Sequence, residues 1–286
     1  MTNINRKLVI CDLDGTLLKH DSTISEYSIK LIKKLQKKGH IFCIATGRPI
    51  RSALTFYNQL GLNTIMANLN GSIISNPSDS NFSLINLTFS KETLKWVLED
   101  KTLIKHIGCV FVENVDGAYV ISKEKNEYVT KEFLSKFHVD ANSENIHVLG
   151  FNDVKKIDKD INSILIYIKD KNDMDEITFK IKNLTSTLIV RSWSLPQDNE
   201  GTVIEINSIF SNKGTVAKFL SSYYAIPLKD TYSFGDGEND LEMLQKSNGY
   251  AMKNGSHTAR LLSSKITKFT NDEDGVVKEL EDILDL

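Results

Sequence analysis

Four short stretches hold residues that could do chemistry together. The first is Asp12-Leu13-Asp14-Gly15-Thr16, where two carboxylates follow directly on the apolar run Leu8-Val9-Ile10-Cys11. Like charges this close raise each other's pKa in a dry site. A divalent cation that prefers hard oxygen ligands, Mg²⁺ above all, would resolve the conflict. The pair also suits a carboxylate nucleophile beside a carboxyl acid/base. The plain alternative is a surface Asp-x-Asp-Gly turn. A second acidic cluster, Asp236 and Asp240, lies in Gly235-Asp236-Gly237-Glu238-Asn239-Asp240, again behind a short apolar run. Asn239 can donate or accept at the same place, and capping of the following helix is compatible with metal binding. Thr46 and Gly47 offer a hydroxyl and an amide N–H at a helix start, where phosphate binds; ordinary capping is the alternative. Lys213 is a lone cation at another strand-to-helix junction, placed to compensate phosphoryl charge or to be one more solvated surface lysine.

Periodicity supplies the elements that must position these residues. The run 8–11 is too short for a buried helix and reads as a buried parallel strand. Ser25 caps a helix carrying Ile29, Ile32 and Leu35, which stops at Gly39. A second strand over 40–45 ends at Thr46-Gly47-Arg48-Pro49, and Pro49 fits the first turn of the next helix. A third strand, 64–67, leads into Asn70-Gly71, a tight turn that could open a hairpin through Ile73-Ile74. Strand–helix alternation predicts a doubly wound parallel sheet, an α/β core, in which right-handed crossovers bring Asp12, Asp14, Thr46, Gly47 and Asn70 to one edge.

The rhythm changes after Asn76. A helix over 91–103, a hairpin around Asn114-Val115-Asp116-Gly117, strands over 163–168, 187–193 and 202–207 and a helix over 173–184 predict an α+β unit with an antiparallel sheet. We expect core segments 1–85 and 209–286 and an inserted cap over 86–208. Helices from Lys213, around Leu241-Met243-Leu244, over 256–264 and over 275–284, with strands at 231–234 and 249–252, restore the α/β pattern.

At 286 residues, 41% hydrophobic and 25% charged with a net charge of −2, the chain is an ordinary globular protein of two domains. Without a basic block it does not point to nucleic acid or an anionic membrane. No apolar run approaches the ~20 residues that span a bilayer, and a polar start before the first strand is no signal peptide. Cys11, Cys43 and Cys109 lie in apolar runs, as reduced core residues. The cytoplasm is the expected location, with a monomer or small homo-oligomer as the assembly. No phosphate-binding Gly-x-x-x-x-Gly-Lys loop, Gly-x-Ser-x-Gly elbow or zinc spacing is present in the sequence.

In order and spacing the four stretches resemble the motifs of the haloacid dehalogenase (HAD) superfamily, and within it the Cof-type, subclass IIB phosphatases with a large α/β cap. Asn70-Gly71, Ala251-Met252-x-Asn254 and Asn271-Asp272-Glu273-Asp274-Gly275 resemble subfamily signatures, with Lys253 and Gly255 departing from the usual Gly and Ala. The resemblance implies a Mg²⁺-dependent phosphatase of small phosphate monoesters, sugar phosphates or similar. Asp12 would be the nucleophile and Asp14 the acid/base. Thr46, Gly47, Arg48, Lys213 and Asn239 would bind phosphate or substrate, and Asp12, Asp14, Asp236 and Asp240 the metal. Arg48 could equally be a structural ion pair. A phosphosugar mutase and a non-enzymatic phosphometabolite-binding protein remain as alternatives.

Overall fold

In this computed structural model the residues described are 6–115, 117–123, 134, 137, 146–183, 186–194 and 201–285. The chain opens with β1 (Leu8–Cys11), α1 (Glu26–Lys37), β2 (Ile41–Ala45), α2 (Ile50–Gln59), β3 (Met66–Asn68), β4 (Ile73–Ser75) and β5 (Ile85–Asn86). It continues through α3 (Glu92–Glu99), β6 (Ile107–Asn114), β7 (Gly117–Ser122), β8 (Ile146–Gly150), β9 (Ser163–Ile168), α4 (Met174–Lys182), β10 (Leu188–Ser194) and β11 (Thr202–Ser208). It closes with α5 (Lys213–Tyr223), β12 (Thr231–Gly235), α6 (Leu241–Lys246), β13 (Asn248–Ala251), α7 (His257–Leu262), β14 (Lys265–Ile266) and α8 (Gly275–Leu284). The chain forms two compact units, Met1–Ile85 with Ser211–Leu286, and Asn86–Phe210.

The first unit is built on a sheet ordered β14-β13-β12-β1-β2-β3-β4-β5. β1 pairs in parallel with β2 and with β12, Cys11 lying opposite Ile44 on one side and Phe234 on the other. Alternate side chains of β1 serve opposite layers, because successive residues of a strand point to opposite faces. Val9 and Cys11 pack with Leu31, Ile32, Ala53, Tyr57 and Leu280 of α1, α2 and α8. Leu8 and Ile10 pack with Val216, Ala217, Leu220 and Met243 of α5 and α6. A strand covered on both faces is apolar throughout, which is why the run 8–11 was legible. The sheet grows outward from β1 in both directions, so the β1/β12 boundary is its switch point, where open α/β sheets bind ligands. At the edge β4 runs antiparallel to β3, folded back by the turn at Asn70-Gly71 into the hairpin that turn could open. Pro49 stands just before α2, not in its first turn, with φ −67° and ψ 161°.

The second unit holds a sheet ordered β10-β11-β9-β6-β7-β8. Its pairs are antiparallel apart from β7 with β8. β8 was not anticipated; it is a half-exposed edge strand with a weak apolar signal. α3 stops four residues short of the predicted end because the Asp100 carboxylate accepts from the N–H groups of Thr102 and Leu103, a local bond that competes with the helix. Asp116, in the hairpin turn read from the sequence, lies outside the described residues. Cys11, Cys43 and Cys109 are buried. Among the described residues no helix is long and apolar enough to cross a membrane.

Candidate active site

Asp12 leaves the end of β1 with its N–H donating to the Phe234 carbonyl at 3.1 Å, which ties it to β12. The next residues, Leu13–Leu17, make one wide turn closed by Leu18 N–H on Leu13 O at 2.8 Å. Asp14 stays extended inside that turn, and Gly15 takes φ +66°. A side chain there would be strained: a Cβ on Gly15 would come 2.4 Å from Asp236 Oδ2. The Asp12 turn and the Asp236 turn therefore meet across the β1/β12 switch point, and Thr16 Oγ1 donates to Asp236 Oδ1 at 3.2 Å.

Lys213, the first residue of α5, is fully buried. Its Nζ donates to Asp12 Oδ1 at 2.7 Å and to Asp240 Oδ1 at 2.6 Å. Asp240 Oδ2 accepts from the N–H groups of Asp236 and Gly237, both at 2.9 Å. Asp240 thus spends one oxygen on the lysine and the other on the turn that presents Asp236. One carboxylate oxygen each of Asp12, Asp236 and Asp240 lie within 4.8 Å of one another.

This crowding shows in the charges. Burial pushes the Asp12 carboxyl well up from its usual range; Lys213 opposes the rise, and Asp240, Asp236 and Asp14 add to it. Burial and then Asp240 raise Asp236 to about 7, against Lys213 and the Thr16 hydrogen bond. Burial alone would lower the Lys213 ammonium, but Asp12 and Asp240 hold it above its ordinary value. One ammonium does not neutralise three close carboxylates. The remaining excess, carried on hard oxygen donors, fits a divalent cation such as Mg²⁺.

The other predicted residues gather around this centre. Thr46 follows β2 and is buried, its Oγ1 accepting from Arg48 N–H at 3.1 Å; Gly47 is exposed. Asn239 Nδ2 donates to Asn70 Oδ1 at 3.0 Å. Asn70 is buried, and its N–H donates to the Thr46 carbonyl at 3.0 Å, so it joins the β2 loop to the β12 loop. Leu69, Asn70 and Gly71 all take positive φ, 48°, 57° and 99°, a strained run of the kind that gathers at functional sites. Arg48, expected on substrate or in an ion pair, places its guanidinium on Asp14: Nε to Oδ2 at 2.7 Å and Nη2 to Oδ1 at 2.5 Å.

Asn254 and Asn271 were quoted in the sequence for their resemblance alone, without a role. Asn254 Nδ2 donates to the Gly15 carbonyl at 2.7 Å, and its Oδ1 accepts from Asn271 N–H at 2.9 Å. Asn271 Nδ2 reaches the Leu18 carbonyl at 2.8 Å. The two asparagines hold the turn after Asp12 from both ends. Apart from that resemblance, their sequence signal is amide side chains beside turn residues.

Residues 9–280 match the family described as haloacid dehalogenase-like hydrolase. The chain is 32% identical over 281 residues to the 5-amino-6-(5-phospho-D-ribitylamino)uracil phosphatase YitU of Bacillus subtilis, covering 98% of each protein. It is 32% identical to a putative phosphatase of Metamycoplasma hominis, covering 95% of this chain and 94% of that one. The solved structure of a HAD subclass IIB sugar phosphatase shares the fold, with TM-score 0.77 at 22% identity over 98% of this chain and 100% of that one. The chain belongs to the haloacid dehalogenase-like hydrolases.

Proposed function

We propose that the protein is a phosphatase of small phosphate monoesters, sugar and polyol phosphates foremost, working through a phosphoryl group carried on Asp12. The observation that carries this is the buried Asp12 carboxylate at the sheet's switch point, with Lys213 Nζ 2.7 Å from one oxygen and Asp14 two residues on. Relatives named as phosphatases support it. YitU is named for a phosphorylated ribityl compound, which agrees with a polyol phosphate as substrate.

In this reading Asp12 attacks phosphorus and the bond to the leaving oxygen breaks. Asp14 gives its proton to that oxygen, then takes one from the water that cleaves the acyl phosphate. Lys213, the Thr46 hydroxyl, the Gly47 amide and the Asn239 amide hold the phosphoryl oxygens, so that catalysis is positioning plus charge compensation. Asp12, the Asp14 backbone carbonyl and Asp236 would hold Mg²⁺, with Asp240 in support. When bound it supplies the positive charge that lets an anionic carboxylate meet an anionic phosphoryl group. Residues 86–208 choose the substrate, and the protein acts in the cytoplasm as a monomer or small homo-oligomer.

The test is phosphate release from an aryl phosphate and a panel of sugar and polyol phosphates, including YitU's named substrate, with and without Mg²⁺. Wild type and Asp12→Asn run side by side. Mg²⁺-dependent release that Asp12→Asn abolishes is the expected result. Release that survives Asp12→Asn overturns the nucleophile. A hexose phosphate isomerised without phosphate release would make the protein a mutase.

A further inference from the structure

Of the two places expected for Arg48, on substrate or in an ion pair, the side chain takes the ion pair. Two of its guanidinium N–H groups, on Nε and Nη2, engage both oxygens of Asp14, at 2.7 and 2.5 Å. Both oxygens of a carboxylate so engaged accept from the guanidinium, the arrangement of the ionised form, which has no proton to give a leaving oxygen. Yet the acid/base assigned above must reach that oxygen, and the present inference rests on that assignment. One of the two partners has to move.

The surroundings say which. The Arg48 side chain is only 7% exposed, and its guanidinium lies over the Phe56 ring, 5.1 Å from the centroid. Its backbone is held at both ends: the N–H by Thr46 Oγ1, the carbonyl by Leu69 N–H and Asn68 Nδ2. The Asp14 side chain is 47% exposed and sits in a turn next to Gly15 at φ +66°. The arginine is the anchor and the aspartate the moving part.

We propose that Arg48 is a positioning residue for Asp14, parking its carboxylate in a fixed fork from which it swings to the leaving oxygen and to which it returns. The proton balance follows. Asp14 leaves the fork, takes a proton from solvent on its half-exposed side, and passes it to the departing oxygen as the P–O bond breaks. It returns as a carboxylate, the form a planar bidentate guanidinium holds best. It then leaves again to take a proton from the attacking water as the bond between phosphorus and Asp12 breaks, and gives that proton to solvent before it parks once more. The fork fixes the arc through which the acid swings, and with it the share of encounters in which the proton arrives in time.

The test uses the leaving group. A p-nitrophenolate departs without help, whereas a sugar or polyol alkoxide needs the proton, and general acid help is worth about 10²–10⁴-fold. kcat/KM, which reports steps through loss of the alcohol, is measured for p-nitrophenyl phosphate and for the best alkyl phosphate. The proteins are wild type, Arg48→Ala, Arg48→Lys and Asp14→Asn. The expected result is that Arg48→Ala loses at least tenfold more on the alkyl ester than on the aryl ester. Arg48→Lys, which keeps the charge without the fork, should fall between Arg48→Ala and wild type. Added guanidinium ion should restore part of the alkyl rate to Arg48→Ala.

Equal losses on both esters would overturn the proposal, as would a rise in KM alone for both, the mark of a direct phosphate contact. If Arg48→Ala does not fold, Arg48→Lys alone decides by the same ratio. Asp14→Asn separates the two levels. If it too fails to discriminate between the esters, the acid/base role of Asp14 falls; if it discriminates and the Arg48 variants do not, only the parking role falls.

Discussion

Replacing Lys213 by Met tests the electrostatics of the site most directly. The methionine keeps the buried stem and removes the ammonium, leaving Asp12 and Asp240 buried and without their shared cation. Breaking a buried pair in this way costs about 3–5 kcal/mol. The protein has an escape: one proton on the pair removes one of the two charges. From an ordinary carboxylate value of 3.8, that proton costs at most about 4 kcal/mol at neutral pH and between about 1 and 2 kcal/mol at pH 5. The loss of stability should therefore track pH. A carboxyl group whose folded pKa lies above its unfolded one binds more protons when folded, so stability falls as pH rises between the two values. The variant should be destabilised by about 3–4 kcal/mol near pH 7 and by less than half of that near pH 5, when unfolded with urea in the presence of chelator. Activity should drop about 10³-fold or more, since in the proposed mechanism both the phosphoryl counter-charge and the ionised nucleophile suffer. A destabilisation that is the same at both pH values, or turnover within about tenfold of wild type, would refute the account of a buried cation shared by two carboxylates.

Mg²⁺ and protons should compete for the same oxygens: with Asp236 at about 7, the rise in melting temperature on adding Mg²⁺ should be larger at pH 8 than at pH 6, and an equal rise at both would count against Asp236 as a ligand. Gly15→Ala should cost more activity than stability, because its Cβ would meet Asp236 Oδ2 at 2.4 Å in a backbone region that favours glycine; calorimetric Mg²⁺ titration should show weakened binding, and unchanged affinity would contradict the close approach. Asn254→Ala releases the Gly15 carbonyl and the Asn271 N–H together, so kcat should fall about tenfold or more with KM nearly unchanged; a double variant with Asn271→Ala, which also frees the Leu18 carbonyl, should lose more, and a double variant no worse than Asn254→Ala would contradict a turn held from both ends.

What the sequence made legible is what local pattern encodes. The apolar run of β1 is uninterrupted because both faces are covered, and it ends abruptly at two carboxylates on the edge where open α/β sheets bind ligands. Asn70-Gly71 announced a turn, and the chain does reverse there into an antiparallel pair. Hidden from it were the side-chain partnerships that cross the fold. Arg48 and Asp14 are 34 residues apart, Asn254 and Gly15 are 239, and Asn271 and Leu18 are 253. No periodicity registers such pairs; they exist only once the sheet has set its loops side by side. The left-handed backbone at Leu69 was equally hidden, since leucine gives no sign of accepting φ 48°, and it is tolerated where Leu69 N–H bonds the Arg48 carbonyl. Asp100 misled in the opposite sense: its type is ordinary at a helix surface, and only its bonds to Thr102 and Leu103 end α3 early.

Two carboxylates two residues apart must be given different tasks, and in this reading the cations do the dividing. Asp12 is 5% exposed and is met by the Lys213 ammonium, a compact charge that also touches Asp240. That environment fixes the carboxylate in place and suits an attacking group, whose geometry must be reproducible. Asp14 has a half-exposed side chain and is met by a planar guanidinium, which holds it strongly in one orientation and releases it to solvent-facing space in another. That environment suits a group that must visit two different oxygens in turn. Environments that drive a pair of titratable groups apart are how acid and base roles are assigned on a common scaffold. Here the difference traces to the fold: Lys213 enters from the start of α5 beneath the switch point, and Arg48 from the start of α2 beside it. Exchanging the two cations, with Lys at 48 and Arg at 213, keeps the net charge and should still abolish turnover. Arginine offers no single compact charge to two buried carboxylates, and lysine offers no fork to the acid.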